Sequence, residues 1–229
     1  MSRALVIAHR GASGYEVENS LAAFRAAVPK GADAVELDVH ATADGALFVH
    51  HDDLLDGTQR IPDLRREQAR AFRLANGEPL PTLDEALQAV GKLQAFVEVK
   101  SLDPRFDQRL FAALDGGPNP SGYAVHSFDH RIVQRLGRER PALPRGVLSA
   151  GYPLRPLAPL EEVGATMLWQ ERPLVDRALV EAVHQAGARL FVWNVDQSSE
   201  MARLVSLGAD GLCTNFPDVA RRVVDGRAA

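Results

Sequence analysis

Strand-like and helix-like segments alternate along almost the whole chain, and this alternation restricts the possible folds more than any other feature. Nine short runs rich in Val, Ile, Leu and Phe have the length and composition of strands buried on both faces. Segments with helical periodicity lie between most of them. Because parallel strands are usually joined by crossover helices, the pattern predicts βαβ units. About eight such units predict a closed α/β barrel, the (β/α)8 or TIM-barrel fold.

One connection departs from the regular pattern. The nine predicted strands are residues 4–9, 34–39, 47–51, 96–100, 123–127, 146–149, 166–169, 190–195 and 211–214. Residues 40–46, between the second and third runs, are too few for a helical crossover. Either an extended loop replaces the helix there or the two strands form a hairpin, and the turn Ala43-Asp-Gly45 favours a local chain reversal. We therefore expect a TIM barrel with an irregular β2–β3 connection.

Length, charge and cysteine usage exclude several other classes of protein. A chain of 229 residues suits one barrel, so we expect a single domain over residues 1–229. The net charge of −4 argues against a nucleic-acid partner. No apolar run approaches the roughly 20 residues of a membrane helix, so no stable membrane anchoring is expected. The only cysteine, Cys213, can form no internal disulfide, which suits a reducing, cytoplasmic location.

Polar and charged residues stand at the ends of the first four predicted strands, where a barrel of this kind carries its chemistry. They are His9 and Arg10, then Glu36 and Asp38, then His50 and His51, and finally Glu98 and Lys100. Alternate residues of a strand share a face. Glu36 and Asp38 therefore point the same way, and the same holds for Glu98 and Lys100.

The three carboxylates predict a divalent metal site. Carboxylates gathered in one mouth repel each other unless a cation lies among them. Glu36, Asp38 and Glu98 offer the hard oxygen ligands that Mg²⁺ or Ca²⁺ prefers. Arg10 and Lys100 would add fixed positive charge, and the metal ion with these cations would form a receptor for phosphate. Ordinary pairing of each carboxylate with a Lys or Arg is the alternative.

Histidines beside this anion site can move protons near neutral pH. His9 is one candidate, and periodicity alone does not choose between His50 and His51 for the second. This inventory fits phosphodiester cleavage, in which one histidine deprotonates the nucleophile and the other protonates the leaving oxygen. The sequence has no P-loop, no Rossmann glycine pattern and no zinc spacing of Cys and His. The remaining histidines, His40, His126, His130 and His184, are interpreted as structural.

The ordered set of motifs resembles a known family. The motifs are His9-Arg10-Gly11, Glu18-Asn19-Ser20, Glu36-Leu-Asp38, Asp44-Gly45, Val49-His-His-Asp52, Glu98-Val-Lys100, Ser127-Phe128, Val192-Trp193-Asn-Val195 and Ala209-Asp-Gly-Leu-Cys-Thr-Asn215. Together they resemble the glycerophosphodiester phosphodiesterase family over nearly the whole chain. The resemblance implies a TIM barrel like that of the phospholipase C-type phosphodiesterases. It also implies hydrolysis of small-molecule glycerophosphodiesters to sn-glycerol 3-phosphate and an alcohol.

The resemblance also implies a role for each site residue. His9 and His51 are the implied acid–base pair, with His51 chosen over His50 because it directly precedes Asp52. The implied ligands of a Mg²⁺ or Ca²⁺ ion are Glu36, Asp38 and Glu98, and the implied phosphate contacts are Arg10 and Lys100. Phe128 and Trp193 could line the glycerol or leaving-group side, with core packing as the alternative. The likeness to phospholipase C-type enzymes further suggests first attack by the 2-hydroxyl of the substrate.

Two other functions remain open at this stage. The same machinery could act on a lysophospholipid or another phosphodiester, which an exposed apolar lip near residues 152–160 would favour. A barrel that binds phosphodiesters without cleaving them is the other alternative. The presence of both His9 and His51 argues against that reading, because binding alone needs no proton-transfer pair.

Overall fold

The computed structural model describes residues 3–226, in which a closed barrel of parallel strands is surrounded by helices. Residues 1, 2 and 227–229, at the two ends of the predicted domain, lie outside the described residues. The strands are β1 (Leu5–His9), β2 (Ala34–Ala41), β3 (Leu47–Val49), β4 (Leu54–Leu55), β5 (Gln59–Arg60), β6 (Gln94–Ser101), β7 (Tyr123–Ser127), β8 (Arg145–Ser149), β9 (Met167–Glu171), β10 (Arg189–Trp193) and β11 (Gly211–Thr214). The helices are α1 (Leu21–Ala27), α2 (Arg66–Ala71), α3 (Leu83–Val90), α4 (Asp107–Gly116), α5 (His130–Glu139), α6 (Ala158–Val163), α7 (Arg177–Gln185), α8 (Ser198–Leu207) and α9 (Pro217–Val224).

Eight of the strands form the barrel wall. They pair in parallel in the order β1-β2-β6-β7-β8-β9-β10-β11, and β11 pairs with β1 to close the ring. The predicted TIM barrel is therefore confirmed. None of the helices within residues 3–226 is long and apolar enough to span a membrane.

The third predicted strand, near residues 47–51, belongs to a hairpin outside the barrel wall. β3 runs antiparallel to β2, with Val49 opposite Val39. At the turn, the Thr42 N–H donates to the Ala46 carbonyl at 2.9 Å, and Gly45 adopts a φ of +78° that favours glycine. The hairpin is thus the correct alternative for the irregular connection. The hairpin projects from the carboxyl end of the barrel and returns the chain to the level of Asp38.

Alternation along the barrel strands places a polar layer above an apolar one. The apolar side chains that pack together inside the barrel include Ile7, Ala34, Phe96 and Ala124. The residues two positions further along the same four strands are His9, Glu36, Glu98 and His126. Because side chains two apart share a face, these four polar groups also point into the barrel, toward its carboxyl end. The candidate site lies there.

Candidate active site

A pocket opens at the carboxyl end of the barrel and contains nearly all of the predicted site residues. Its lining is His9, Arg10, Glu36, His51, Glu98, Lys100, His126, Phe128, Leu148, Trp169, Trp193, Asn194 and Cys213. Asp38 is the one predicted site residue outside this lining, and it is buried directly behind the charged groups. Residues from both halves of the sequence therefore meet in one cavity.

Asp38 is surrounded by the two predicted phosphate-binding cations. The Lys100 ammonium lies 3.3 Å from Oδ1 of Asp38, and Nε of Arg10 lies 3.1 Å from Oδ2. The side chain of Asn19 donates a hydrogen bond of 2.8 Å to the same carboxylate. Burial raises the pKa of Asp38, but the charges of Lys100 and Arg10 outweigh burial and hold that pKa below its ordinary value. Asp38 therefore stays ionised at neutral pH.

The other two carboxylates resist ionisation. Glu36 and Glu98 are both buried. Burial, followed by the charges of Asp38 and Glu98, raises the pKa of Glu36 well above its ordinary value. Burial and the nearby charge of Asp38 raise the pKa of Glu98 to about 7, although the Lys100 ammonium lies only 2.9 Å from it. The pocket thus holds more carboxyl groups than Arg10 and Lys100 can keep ionised.

His126 joins these two carboxylates in a group whose ligand atoms are close enough together to be a candidate metal site. Three ligand atoms lie within 4.8 Å of one another, one each from Glu36, Glu98 and His126. Ligands about 2.1 Å from a shared metal lie up to about 4.2 Å apart, so an adjustment of roughly half an ångström would bring the three atoms onto one ion. Burial lowers the pKa of His126 to about 3, which keeps its ring neutral and able to donate a lone pair. His126 is therefore a candidate metal ligand, although its sequence context alone indicates a structural histidine.

The chain bends sharply after β1 to place Arg10 beside the carboxylates. Arg10 has a φ of +53° and Gly11 a φ of +81°, so two successive residues are left-handed. A side chain at Gly11 would lie 2.6 Å from the backbone carbon of Ala23, which explains the glycine. The guanidinium of Arg10 donates to both carboxylate oxygens of Glu18 at 2.8 and 2.9 Å. Arg10 is therefore held between Glu18 and Asp38.

The two candidate acid–base histidines approach the pocket from different elements. His9 ends β1, and its Nδ1 lies 2.7 Å from Oδ1 of Asn215. Burial and the neighbouring charge of Arg10 lower the pKa of His9 to about 4, so its ring is neutral at pH 7. His51 follows the hairpin, and its Nδ1 lies 2.8 Å from the carboxylate of Asp52.

His50, which periodicity could not separate from His51, lies outside the pocket lining. Its ring packs edge-to-face against Phe72 at 6.2 Å between centroids. Its Nδ1 donates to the Asp52 carbonyl at 2.9 Å. The two neighbouring histidines thus have different surroundings, with only His51 directed to the site.

Two aromatic side chains form part of the rim. Phe128 and Trp193 meet edge-to-face with 5.5 Å between ring centroids, and Phe128 is 46% exposed. This exposure fits a contact surface better than core packing. Farther along the rim, the loop after β8 exposes Tyr152 and Leu154, whereas Leu160 is buried. Within residues 152–160, exposed apolar side chains are therefore limited to the first part of the segment.

The chain is similar to known proteins over nearly its whole length. Residues 9–219 match the Glycerophosphoryl diester phosphodiesterase family. A glycerophosphodiester phosphodiesterase of Caldanaerobacter subterraneus subsp. tengcongensis is 31% identical over 238 residues, which cover 97% of this chain and 98% of that protein. A glycerophosphodiester phosphodiesterase structure from Parabacteroides distasonis has a TM-score of 0.88 and 26% identity, with 99% of both chains covered. A phosphodiesterase structure from Oleispira antarctica, in complex with the product sn-glycerol-3-phosphate, has a TM-score of 0.90 and 23% identity over 97% of both chains.

Proposed function

Because the chain belongs to the glycerophosphoryl diester phosphodiesterase family, it is an enzyme that hydrolyses glycerophosphodiesters, and we propose that histidine acid–base catalysis beside a divalent metal ion carries the reaction. The proposed products are sn-glycerol 3-phosphate and an alcohol. The observation that carries the proposal is one pocket in which His9 and His51 meet carboxylates and cations. The O. antarctica phosphodiesterase, which binds sn-glycerol-3-phosphate in the same fold, supports this choice of product. Family membership sets aside a barrel that only binds phosphodiesters.

We propose that Glu36, Asp38 and Glu98 hold the ion. Their carboxylate oxygens suit Mg²⁺ or Ca²⁺, and a dication would supply the positive charge that Glu36 and Glu98 need to ionise together with Asp38. The raised pKa values of Glu36 and Glu98 support this assignment, because groups held so unfavourably in the metal-free site gain most from a cation. When bound, the ion would supply stabilisation of negative charge on the phosphoryl oxygens.

Arg10 and Lys100 are the proposed phosphate contacts. Both line the pocket, and both pair with proposed metal ligands, Arg10 with Asp38 and Lys100 with Asp38 and Glu98. Their charges would favour the phosphoryl group as negative charge develops in the transition state. Phe128 and Trp193, at the rim, would flank the glycerol or the leaving alcohol.

The two histidines that line the pocket, His9 and His51, are the proposed proton-transfer groups. His9 is neutral at pH 7, so it is suited to remove a proton from the nucleophile. His51, with Nδ1 against Asp52, has its other ring nitrogen available to protonate the leaving oxygen.

Burial and the charge of Glu36 raise the pKa of the Cys213 thiol well above its ordinary value, so Cys213 is a poor nucleophile. We propose that the 2-hydroxyl of the substrate attacks first, because an intramolecular nucleophile has a high effective molarity.

Metal dependence tests the proposed function. Protein stripped of metal by a chelator should show no turnover of glycerophosphocholine, and added Mg²⁺ or Ca²⁺ should restore it. Glu36→Gln keeps the shape of the side chain and removes its charge, so it should require a higher metal concentration. Asp115→Asn, a surface substitution outside the pocket, is the matched control. Full activity of protein shown by elemental analysis to be metal-free would contradict the proposal.

A lysophospholipid is the second candidate substrate. The exposed side chains of Tyr152 and Leu154 favour it, because an acyl chain could lie over them. The rates of hydrolysis of a lysophospholipid and of its deacylated counterpart, measured below the micelle-forming concentration, decide between the two.

A further inference from the structure

A chain of hydrogen bonds behind His9 ends on a carboxylate that the proposed function does not use. Asn215 follows β11, and its Oδ1 lies 2.7 Å from Nδ1 of His9. Its Nδ2 donates to Oδ2 of Asp196 at 2.7 Å. The chain therefore runs from the pocket through His9 and Asn215 to Asp196, and joins residues far apart in the sequence.

The carboxylate of Asp196 fixes which way the Asn215 amide points. An ionised carboxylate only accepts hydrogen bonds, so the Nδ2 of Asn215 must face Asp196 and its Oδ1 must face His9. Asp196 is itself held in place, since its Oδ1 accepts from the Asn215 backbone N–H at 2.9 Å and from the Thr214 hydroxyl at 3.0 Å. Because the carboxylate is held in place, a flipped Asn215 amide would set its oxygen against a carboxylate oxygen and lose the hydrogen bond.

An oxygen that faces Nδ1 determines the tautomer of His9. An amide oxygen has no proton to donate, so the 2.7 Å contact is a hydrogen bond only when Nδ1 carries the proton. The Ser13 hydroxyl lies 2.7 Å from the same oxygen and 2.8 Å from the His9 carbonyl, and both partners are acceptors of its single proton. Asn194 Nδ2 lies 2.9 Å from Nδ1 and 3.2 Å from Nε2 of His9, and this near-equal spacing does not select a tautomer.

We propose that Asn215, oriented by Asp196, is a positioning residue that holds neutral His9 as the Nδ1–H tautomer. The unprotonated Nε2 is then the nitrogen available to take a proton from the nucleophile. This inference rests on the proposed acid–base role of His9. The arrangement resembles a catalytic triad, in which a third group orients the base that activates the nucleophile. Here the uncharged amide of Asn215 contacts the base, His9, and the carboxylate of Asp196 contacts that amide.

The tautomer of His9 can be measured directly. Protein labelled with ¹⁵N-histidine, examined near pH 7 by long-range ¹H–¹⁵N NMR, should give the Nδ1–H pattern for His9. Asn215→Ala removes the acceptor, so the population should shift toward Nε2–H. Asp196→Ala frees the amide to turn its nitrogen toward His9, and should shift the tautomer in the same direction through a residue that does not touch the ring.

Kinetics and a rescue variant separate positioning from a general loss of structure. Asn215→Ala should lower kcat about 10²-fold and change KM less than threefold, because a wrong tautomer removes the base without removing substrate contacts. Asn215→Asp should keep the Nδ1–H tautomer and recover part of kcat, since an oxygen still faces His9 and a proton shared with Asp196 replaces the amide N–H. Ser101→Ala, which removes the partner of His40 Nδ1, is the matched spectroscopic control and should leave the His9 signals unchanged.

The outcomes separate this inference from the function on which it rests. An Nε2–H pattern in the unsubstituted protein would overturn the inference, and so would an unchanged Nδ1–H pattern in both Asn215→Ala and Asp196→Ala. Full activity of His9→Ala would instead overturn the proposed acid–base function, whatever the tautomer measurements give.

Discussion

At the scale of single residues, His50 and His51 show how little separates a pocket residue from its neighbour. They are adjacent in sequence, but His51 lines the pocket and His50 packs against Phe72. The sequence motif chose His51 because it precedes Asp52, and in the structure that aspartate holds Nδ1 of His51. Periodicity could not make the choice, because the chain leaves regular strand geometry after Val49.

Substitution of these two histidines gives a sharp contrast. His51→Ala should lower kcat about 10²–10⁴-fold, the usual scale for loss of a general acid or base, while its thermal unfolding stays close to that of the unsubstituted protein. His50→Ala, the matched control, should lower kcat far less, because the contacts it removes, with Phe72 and the Asp52 carbonyl, lie outside the pocket. Inactive His50→Ala together with active His51→Ala would reverse the assignment.

The proximity of His126 to the buried carboxylates could not be predicted from the sequence around it. Its position two residues after Ala124 predicts an inward side chain, which is the signal that sequence reasoning could have used. Its place beside Glu98 follows from the pairing of β6 with β7, where these two residues are partners in register. No local pattern specifies which strands become neighbours, so a lone histidine on an apolar strand looks structural.

Whether His126 is a metal ligand can be tested by a substitution that preserves packing. The His126 ring stacks on Trp169 with 4.4 Å between centroids, and a phenyl ring can occupy the same place. His126→Phe should therefore fold normally but bind Mn²⁺ about 10-fold or more weakly in calorimetric titration, because a nitrogen ligand is lost. His184→Phe, on an exposed histidine paired with Asp210, is the matched control. Equal Mn²⁺ affinity of His126→Phe and the unsubstituted protein would contradict a ligand role.

At the scale of secondary-structure elements, the β2–β3 hairpin is the feature that the sequence left open. Its turn motif predicted a reversal, but chain length alone could not exclude an extended loop. The hairpin is stabilised by contacts that the local sequence does not contain. A side chain at Gly45 would collide with the ring of Phe106, which follows β6, so the tip of the hairpin lies directly against that segment. The close packing at the tip positions the strand that leads back to His51.

Two glycines with similar backbone angles allow this packing to be measured. Gly45 has a φ of +78° and Gly57 a φ of +73°, but a side chain at Gly57 would meet nothing within 4 Å. Gly57→Ala should therefore cost only the left-handed strain, about 1–2 kcal/mol of unfolding free energy. Gly45→Ala should cost more and should also lower kcat, because the displaced hairpin carries His51 away from the pocket. Equal losses of stability in the two variants, measured by denaturant unfolding, would show that the Phe106 contact is unimportant.

At the scale of the whole molecule, barrel closure brings the buried charges of the mouth together. The sequence predicted the barrel correctly because its strands alternate regularly with helices. It also predicted carboxylates and cations at strand ends, but not how they pair. In the metal-free structure Asp38 pairs with Arg10 and Lys100 and has a lowered pKa, whereas the pKa values of Glu36 and Glu98 are raised. This division depends on relative burial and distance, which only the folded barrel sets.

The buried carboxyl groups and the buried histidines make the free energy of unfolding depend on pH in opposite directions. The pKa of Glu98, raised to about 7, means that the folded, metal-free protein holds a proton there that the unfolded chain releases above about pH 4.5. Its contribution to stability is therefore lost as pH rises through about 7. The pKa values of His9 and His126, lowered to about 4 and about 3, have the opposite effect, and their contribution to stability increases up to about pH 6.5. Above pH 6.5, the buried carboxyl groups dominate and the metal-free protein should become less stable.

A bound divalent ion should reverse this loss, and its effect should grow with pH. The ion competes with the protons on Glu36 and Glu98, so its affinity rises as those protons leave, and tighter binding to the folded state raises stability. At a fixed saturating concentration of Mg²⁺ or Mn²⁺, the increase in Tm should be clearly larger at pH 8 than at pH 5.5. Glu98→Gln should flatten this difference, because the amide has no proton to release, whereas Asp115→Asn should leave it intact. A metal-induced shift in Tm that is equal at both pH values, or larger at pH 5.5, would mean that the ion does not bind at these carboxylates.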